Sequence, residues 1–304
     1  MMINPITPSV IDIETVHGIC NASCIMCSIR SSAQRPQIMH QDMFLSILDR
    51  LIPYRECVEY LNIVGLGEAI LDPNVFVKIR ACKEAGFRQV SLPTNGGILD
   101  ELRTSMLLDS GIDIVIFSID SLIPDKFEKI RQGLSFQRVI DNIHRLIKRR
   151  NSGTYSTTIC VRMIEQELNE DEWQQYTNYW SQYLTLSRGD MVLRFPRHNW
   201  ADAECAIPKS IPCPYIFDRI TINASGMIQF CCIDVDASFY QLGSAFDEDP
   251  VRIYNKNLFR EARMLMKKGR INDLEHCSRC DVPLKRLHRE KADLDLEKSE
   301  MFPN

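Results

Sequence analysis

Six short apolar runs, with segments of helical periodicity between them, organise this 304-residue chain up to Phe195. The runs cover residues 9–15, 60–64, 89–92, 112–117, 158–163 and 191–195. Several are continuous and β-branched (Ile112, Ile114, Val115, Ile116), the composition of strands buried on both faces. Helical patterns fill the gaps at 41–52, 73–85, 99–110, 136–149 and 170–183. Asp72-Pro73 reads as an N-cap followed by proline at the first helical position. Gly86 and Gly111 read as C-terminal glycines, each just before a strand. Repetition of strand and helix means parallel βαβ units with right-handed crossovers. The expected fold class is therefore α/β, an open, partial (β/α)6 TIM-like barrel.

The pattern changes after Trp200. Residues 219–223 and 227–232 flank Ala224-Ser225-Gly226 and predict a β-hairpin with glycine in its turn. A helix is expected over 257–268, and from Lys285 the chain carries five basic and five acidic residues, a solvated tail. The expected domains are a barrel over 1–204, a small unit of hairpin plus helix over 205–284, and the tail over 285–304. The net charge of -4 and ordinary 25 % charged content exclude a strongly basic nucleic-acid binder and an anionic-membrane binder. No apolar run approaches the ~20 residues of a membrane span, and residues 1–10 lack a signal peptide's basic start and apolar stretch. A cytoplasmic location is expected.

Cysteine is the anomaly, with twelve in the chain. Without a secretory signal, metal or redox use is favoured over a disulfide scaffold. Cys57, Cys82 and Cys160 sit alone in apolar-periodic stretches and read as core fillers; Cys205 is undecided. Cys20, Cys24 and Cys27 follow the first strand directly, in the spacing C-x3-C-x2-C. Three thiolates on one loop hold three irons of a four-iron cluster and leave the fourth iron open. Catalytic metals keep an open position, whereas structural sites are closed. The alternative is zinc completed by His17 or His40, but zinc knuckles favour paired C-x2-C and C-x2-H spacings.

C-x3-C-x2-C after a first strand resembles the signature of the radical S-adenosylmethionine (SAM) superfamily, with Met26 where an aromatic residue often stands. In that family SAM chelates the open iron. Gly65-Leu66-Gly67-Glu68 follows the second run and resembles the family's glycine–glutamate motif; the resemblance implies that Gly65, Gly67 and Glu68 bind the SAM amino group. Thr94-Asn95-Gly96 follows the third run. Ser118-Ile119-Asp120 ends the fourth and resembles a ribose- or substrate-contacting stretch. Asn95, Ser118 and Asp120 are accordingly expected at the cofactor. All sit at strand C-terminal ends, where barrel sites are built.

Cys213, Cys231 and the C-x2-C pair Cys277/Cys280 make a second constellation. Residues 223–234 (NASGMIQFCCID), with the C-x2-C pair, resemble the SPASM domain in its shortened twitch form, which implies one auxiliary four-iron cluster on these four cysteines. Cys231 and Cys232 should point to opposite faces of a strand, so one is a ligand; the family spacing selects Cys231. A four-cysteine zinc ribbon is the alternative. Four protein ligands would close this cluster, fitting it to exchange electrons rather than bind substrate.

The resemblance implies two [4Fe–4S] clusters, SAM, a low-potential reductant such as flavodoxin or ferredoxin, and a 5′-deoxyadenosyl radical that takes hydrogen from an unactivated C–H bond. The chain resembles the aminocyclitol dehydrogenases of antibiotic biosynthesis, which oxidise a secondary alcohol. A small polar, sugar- or cyclitol-like substrate is expected, oxidised with the auxiliary cluster as electron acceptor. Too few residues precede Cys20 for the N-terminal peptide-binding domain of many peptide-modifying relatives. Epimerisation and peptide modification are the alternatives, and a non-catalytic zinc or electron-carrier protein is the rival from another class. An epimerase needs a hydrogen-atom donor, for which Cys205 and Cys232 are candidates. His17, Arg30 and Arg194 are candidate substrate contacts, Arg194 with a surface ion pair as its alternative. No role is assigned to Arg131 or Asn142.

Overall fold

The computed structural model describes residues 6–201 and 212–284. In chain order its strands are β1 (Val10–Ile13), β2 (Val16–His17), β3 (Gln37–Ile38), β4 (Tyr60–Ile63), β5 (Gln89–Thr94), β6 (Ile114–Ser118), β7 (Thr158–Glu165), β8 (Met191–Pro196), β9 (Arg219–Ile222) and β10 (Ile228–Gln229). Eight of them form one sheet in the order β10-β9-β1-β4-β5-β6-β7-β8; β2 and β3 make a separate two-residue ribbon. The six expected strands are all present, parallel and consecutive, as short βα crossovers require. Ile11, Ile63, Val90, Val115, Phe117 and Val161 are wholly buried, in keeping with strands covered on both faces.

Strand β9 does more than form a hairpin. It pairs antiparallel with β10 and also parallel with β1, with Asp12 opposite Thr221 on one side and Asn62 on the other. β1 would otherwise end the barrel sheet with unpaired N–H and C=O groups, and β9 satisfies them. The C-terminal unit is thus hydrogen-bonded into the barrel rather than tethered beside it. Helix 257–267 locks on through Arg263, which is 1 % exposed. Its guanidinium lies 4.0 Å from the Tyr254 ring centroid and donates to the carbonyls of Ile216 and Tyr254.

The five expected helices form, with shifted ends. The second starts at Val75, not Pro73, because Asp72 has another task. Its carboxylate is fully buried, 2.6 Å from Lys78 Nζ, and accepts from Asn74 N, so it turns the chain instead of capping it. Gly86 and Gly111 have φ of +86° and +80°, as C-terminal glycines should. Helix Pro124–Ile130 was not expected; it carries Phe127 and Ile130 into the core. Cys82 and Cys160 are buried, but Cys57 is exposed, in a turn whose N–H groups bond back to residues 52–54. The expected tail from Lys285 lies outside the described residues. No helix among the described residues is long and apolar enough to cross a membrane.

Helix Phe136–Ser152 buries Val139, Ile140, Ile143, Leu146 and Ile147 on one face. Each contributes about 1.5–3 kcal/mol of transfer free energy. Its last turn is fixed by Arg150, whose guanidinium meets Asp190 at 2.7 and 2.6 Å, both side chains fully buried. Asp190 also accepts from Ile159 N and Thr185 N. Burial opposes the Asp190 charge, but these partners outweigh it and hold the carboxyl below its usual range. Asp190→Ala leaves a buried guanidinium unpaired and should cost about 3–5 kcal/mol, read as a lower urea midpoint. The sign with pH follows from the lowered pKa. The contribution is complete above the unfolded-state carboxylate value and is lost as pH falls through the lower folded value, so wild type and variant should converge only in strong acid.

Candidate active site and cluster loops

Cys20, Cys24 and Cys27 lie in the loop that leaves β2. The loop is held on both sides by backbone bonds. Ser23 N and Ile25 N donate to the carbonyls of Gln132 and Ile130, at the C-terminal end of helix Pro124–Ile130. Gly18 N donates to Leu66 O, and Glu68 N to Ile19 O. The glycine loop after β4 therefore lies directly against the cysteine loop. A Cβ at Gly67 would stand 2.5 Å from the Val16 carbonyl oxygen, and one at Gly65 would stand 2.1 Å from Glu14 Cγ. Both glycines are required by the protein's own packing, before any cofactor is considered.

The sulfurs of this loop are supplied with donors. Ala22 N and Asn95 Nδ2 point at Cys20 Sγ, at 3.4 and 3.7 Å, and Arg131 Nη1 points at Cys24 Sγ at 3.7 Å. Burial pushes all three thiols up, that of Cys20 to about 11. Buried thiols held against hydrogen-bond donors and a guanidinium suit thiolates that bind iron, because the metal removes the cost of deprotonation and the donors stabilise the negative sulfur. Arg131, unassigned from sequence, sits between Cys24 and Asp120, with Nε 2.8 Å from Asp120 Oδ2. Burial disfavours its charge, but Asp120 and Cys24 hold its pKa above the usual value.

A cavity of about 400 Å³ opens above the loop, at the C-terminal ends of the strands. Gly65, Gly67, Glu68, Asn95 and Ser118 all line it, as do the three cysteines. Glu68 is wholly buried, and its carboxylate accepts from Thr94 Oγ1, Asn95 N and Ile70 N. Burial raises its pKa. Those three donors take most of its lone pairs, so Glu68 organises the loop after β5 as well as facing the cavity. Asn95 exchanges amide hydrogen bonds with Asn21 and accepts from Gly97 N. Asn142 donates to Gly96 O and fixes the same turn.

Three expected contacts are placed elsewhere. Asp120 does not line the cavity: it is fully buried beneath the wall, bonded to Arg131 and Ile164 N. Arg194 does not line it either; it pairs with Glu165 and lies 5.3 Å from the Trp173 ring centroid, the ion-pair alternative. His17 is buried and bonded to Glu14 and Ser32. Cys205 lies outside the described residues. Other lining residues were missed, among them Arg131. Arg162 reaches in from β7, donates to Ser118 Oγ, and has its pKa lowered by burial and then by Arg131. Asp12 and Arg219, from adjacent strands, meet at 2.7 Å in the floor. The only signal for Asp12 was a carboxylate inside an apolar run.

The C-terminal unit completes the cavity with Thr221, Gln229 and Cys232, and residues 197–200 form a strap across it. Trp200 Nε1 donates to Met26 O in the first cysteine loop, while Asn199 bonds Arg279 O and the Asp281 side chain beside Cys280. The strap thus touches both cysteine loops. Trp200 and Ala201 take left-handed φ of 54° and 60°, a strained pair that its bonds at both ends hold in place.

A second, apolar cavity is lined by Cys213, Cys231, Cys277 and Cys280, with Phe230, Ile233, Phe239 and His276 around them. Burial raises the thiols of Cys213 and Cys231, and neighbouring cysteines raise them further. Four thiols converging on an apolar pocket fit a closed cluster. Cys232 faces the larger cavity instead. The geometric reason differs from strand alternation, since β10 ends at Gln229 and both cysteines lie in the turn beyond it. Ile233 lines both cavities, so the wall between them is one side chain thick.

The family model of the radical SAM superfamily matches residues 15–172, and that of the SPASM iron–sulfur cluster-binding domain matches 213–281. The chain belongs to the radical SAM superfamily. Its cofactors are accordingly SAM and two [4Fe–4S] clusters, one of the radical SAM type and one auxiliary. A cofactor-modifying protein of tungsten-containing aldehyde ferredoxin oxidoreductase from Pyrococcus furiosus is 28 % identical over 162 residues, 53 % of this chain and 45 % of the relative. The chain thus spans less than half of that relative. Among solved structures, BtrN in complex with AdoMet and 2-DOIA superposes with a TM-score of 0.63 at 15 % identity, over 91 % of this chain and 94 % of BtrN. SuiB of Streptococcus suis gives 0.64 at 13 % identity, over 84 % of this chain and 68 % of SuiB. These superpositions share the fold: a partial barrel with a C-terminal cluster unit.

Gly67→Ala drives a methyl group into the Val16 carbonyl and must push the two loops apart. Anaerobically reconstituted variant should lose iron equivalent to about one cluster and bind SAM weakly, while the auxiliary cluster stays, measured by iron count and equilibrium dialysis.

Proposed function

We propose that this enzyme oxidises an alcohol of a small polar, sugar- or cyclitol-like substrate, with the auxiliary cluster as electron acceptor. The observation that carries the reading is the shared wall. Cys231 and Cys232 are neighbours that face different cavities, and Ile233 lines both. An electron leaving a substrate in the larger cavity has one side chain to cross. The similarity to BtrN over nearly its whole length, solved with 2-DOIA, supports a substrate of this size. When bound, the first cluster and SAM supply a 5′-deoxyadenosyl radical that takes a hydrogen atom from an unactivated C–H bond.

The chain's own residues do the rest. Cys20, Cys24 and Cys27 would hold the first cluster, with Asn95 and Arg131 steadying its sulfurs. Gly65, Gly67, Glu68, Asn95 and Ser118 would face SAM. Arg162, which donates to the Ser118 hydroxyl, is placed to bind a carboxylate. Asp12 and Arg219 in the floor, with Thr221 and Gln229, offer donors and acceptors to substrate hydroxyls. Trp200 and the strap narrow the mouth and limit water and competing hydrogen donors. Cys213, Cys231, Cys277 and Cys280 would hold the auxiliary cluster. A small low-potential protein such as flavodoxin or ferredoxin would supply electrons.

A second reading, epimerisation, has one observation in its favour. Cys232 lines the larger cavity, and burial holds its thiol up to about 12, so it keeps the S–H hydrogen that a hydrogen-atom donor needs.

The test uses reconstituted enzyme, a strong reductant, SAM and a panel of aminocyclitols and sugars. A ketone product formed by wild type and lost in Cys277→Ser, which should also lose about one cluster's worth of iron, supports oxidation. Solvent deuterium in a product of unchanged oxidation state, lost in Cys232→Ala, replaces it with epimerisation. Cys24→Ala should abolish SAM cleavage, because a missing thiolate loses the cluster; undiminished cleavage by that variant would sink the site. Cys232→Ser should leave the iron count intact.

A further inference from the structure

Glu14, His17, Ser32 and Asp236 form a continuous polar network beside the cysteine loop. His17 Nδ1 lies 3.0 Å from each Glu14 carboxylate oxygen. His17 Nε2 lies 2.9 Å from Ser32 Oγ. Ser32 Oγ donates to Asp236 Oδ1 at 2.5 Å and accepts from Gln34 N at 3.3 Å. Asp236 Oδ2 accepts from Ala33 N at 3.1 Å. Glu14 further accepts from Leu66 N at 2.5 Å and Ala224 N at 3.1 Å.

The protonation state follows from counting donors. The Ser32 hydroxyl has one hydrogen, and Asp236 takes it, so Ser32 can only accept from His17 Nε2. The Glu14 carboxylate can only accept from Nδ1. Both ring nitrogens therefore carry hydrogen, and His17 is an imidazolium, 0 % exposed. Glu14 and Asp236 are the charged groups that face it. Donors from His17, Leu66 and Ala224 occupy most of the Glu14 lone pairs, and they bind it into the surrounding structure.

What it joins is the point. Leu66 N belongs to the glycine loop. His17 and Ser32 flank the three cysteines on either side. Ala224 is in the turn between β9 and β10, and Asp236 follows Cys232 in the C-terminal unit. We infer that His17, as an imidazolium between Glu14 and Asp236, is a positioning residue that docks the C-terminal cluster unit onto the glycine loop and thereby sets that loop's affinity for SAM. The inference rests on the glycine loop being the SAM site. Neutral His17 would lose one donor and the charge that holds two carboxylates together, and both the Leu66 and the Ala224 contacts would loosen through Glu14.

Burial alone would lower the His17 pKa, but its hydrogen bond to Glu14 and the charges of Glu14 and Asp236 outweigh burial and raise it. Its contribution is therefore complete at lower pH and is lost as pH rises through that raised value.

The experiment is SAM binding by equilibrium dialysis to anaerobically reconstituted wild type, His17→Gln and Asp236→Asn, across the range around neutrality. Ionisation of the SAM amino group is common to all three and cancels in their ratios. His17→Gln should bind about tenfold more weakly on the acid side and converge with wild type on the alkaline side. Asp236→Asn, at a partly exposed position, should move the pH midpoint of the wild-type affinity loss downward. A His17→Gln ratio that is near one, or constant with pH, overturns the positioning role, as does an unmoved midpoint in Asp236→Asn. Failure of wild type itself to bind SAM overturns the glycine-loop assignment, and the inference with it.

Discussion

The pairing of β9 with β1 is the constraint on which the rest of this structure depends. A six-stranded parallel sheet is open at β1, and an open edge is a row of unsatisfied backbone groups. The chain closes it with a strand from its C-terminal region, in register with Asp12 and Thr221 side by side. From that one decision the second cysteine set is carried to the rim of the barrel, Cys232 and Arg219 become part of the main cavity, and the auxiliary pocket comes to lie behind Ile233. The two cluster sites are neighbours because a sheet edge needed a partner.

The barrel then uses its loops as interlocking parts. The glycine loop cannot approach the cysteine loop unless Gly65 and Gly67 lack side chains. Glu68 and Asn95 hold the next loop to the same spot, and Arg131 does so from the far side. Each contact is modest, but they share members, and shared networks stand or fall together. This is how three thiols on an otherwise irregular segment are kept in one place before any metal binds.

Much of this was legible in the sequence, for identifiable reasons. Buried parallel strands are continuous apolar runs, so the six barrel strands could be read directly. The cysteine spacings and the glycine–glutamate motif are local in sequence and survive any tertiary context. What failed to show was whatever depends on partners far along the chain. Arg131, Arg162 and Asp12 are single charged residues with no spacing to mark them; their meaning comes from Asp120, Ser118 and Arg219 across strands. Arg194 looked like a mouth residue because it ends a strand, but Glu165 on the adjacent strand claims it. Asp72 looked like a helix cap until Lys78, one turn and a half on, drew it into the core. Cys57 read as a core residue from its apolar neighbours, yet it falls in a turn. The parallel pairing of β9 was invisible because a hairpin signal says nothing about a hairpin's outer edge.

That pairing also bears on how the chain is made. Val10 is synthesised 209 residues before its partner Arg219. Until Arg219 is made, the barrel carries a bare, apolar β1 edge, the kind of surface that invites association with other chains. The strand that closes this edge leads through its hairpin partner β10 straight into Cys231 and Cys232. Sealing of the sheet and assembly of the second set of thiols are therefore one late event of high contact order. A chain that stalls or is truncated before Arg219 would be left with both an open edge and an unfinished cavity, and would be a ready substrate for chaperones and proteases.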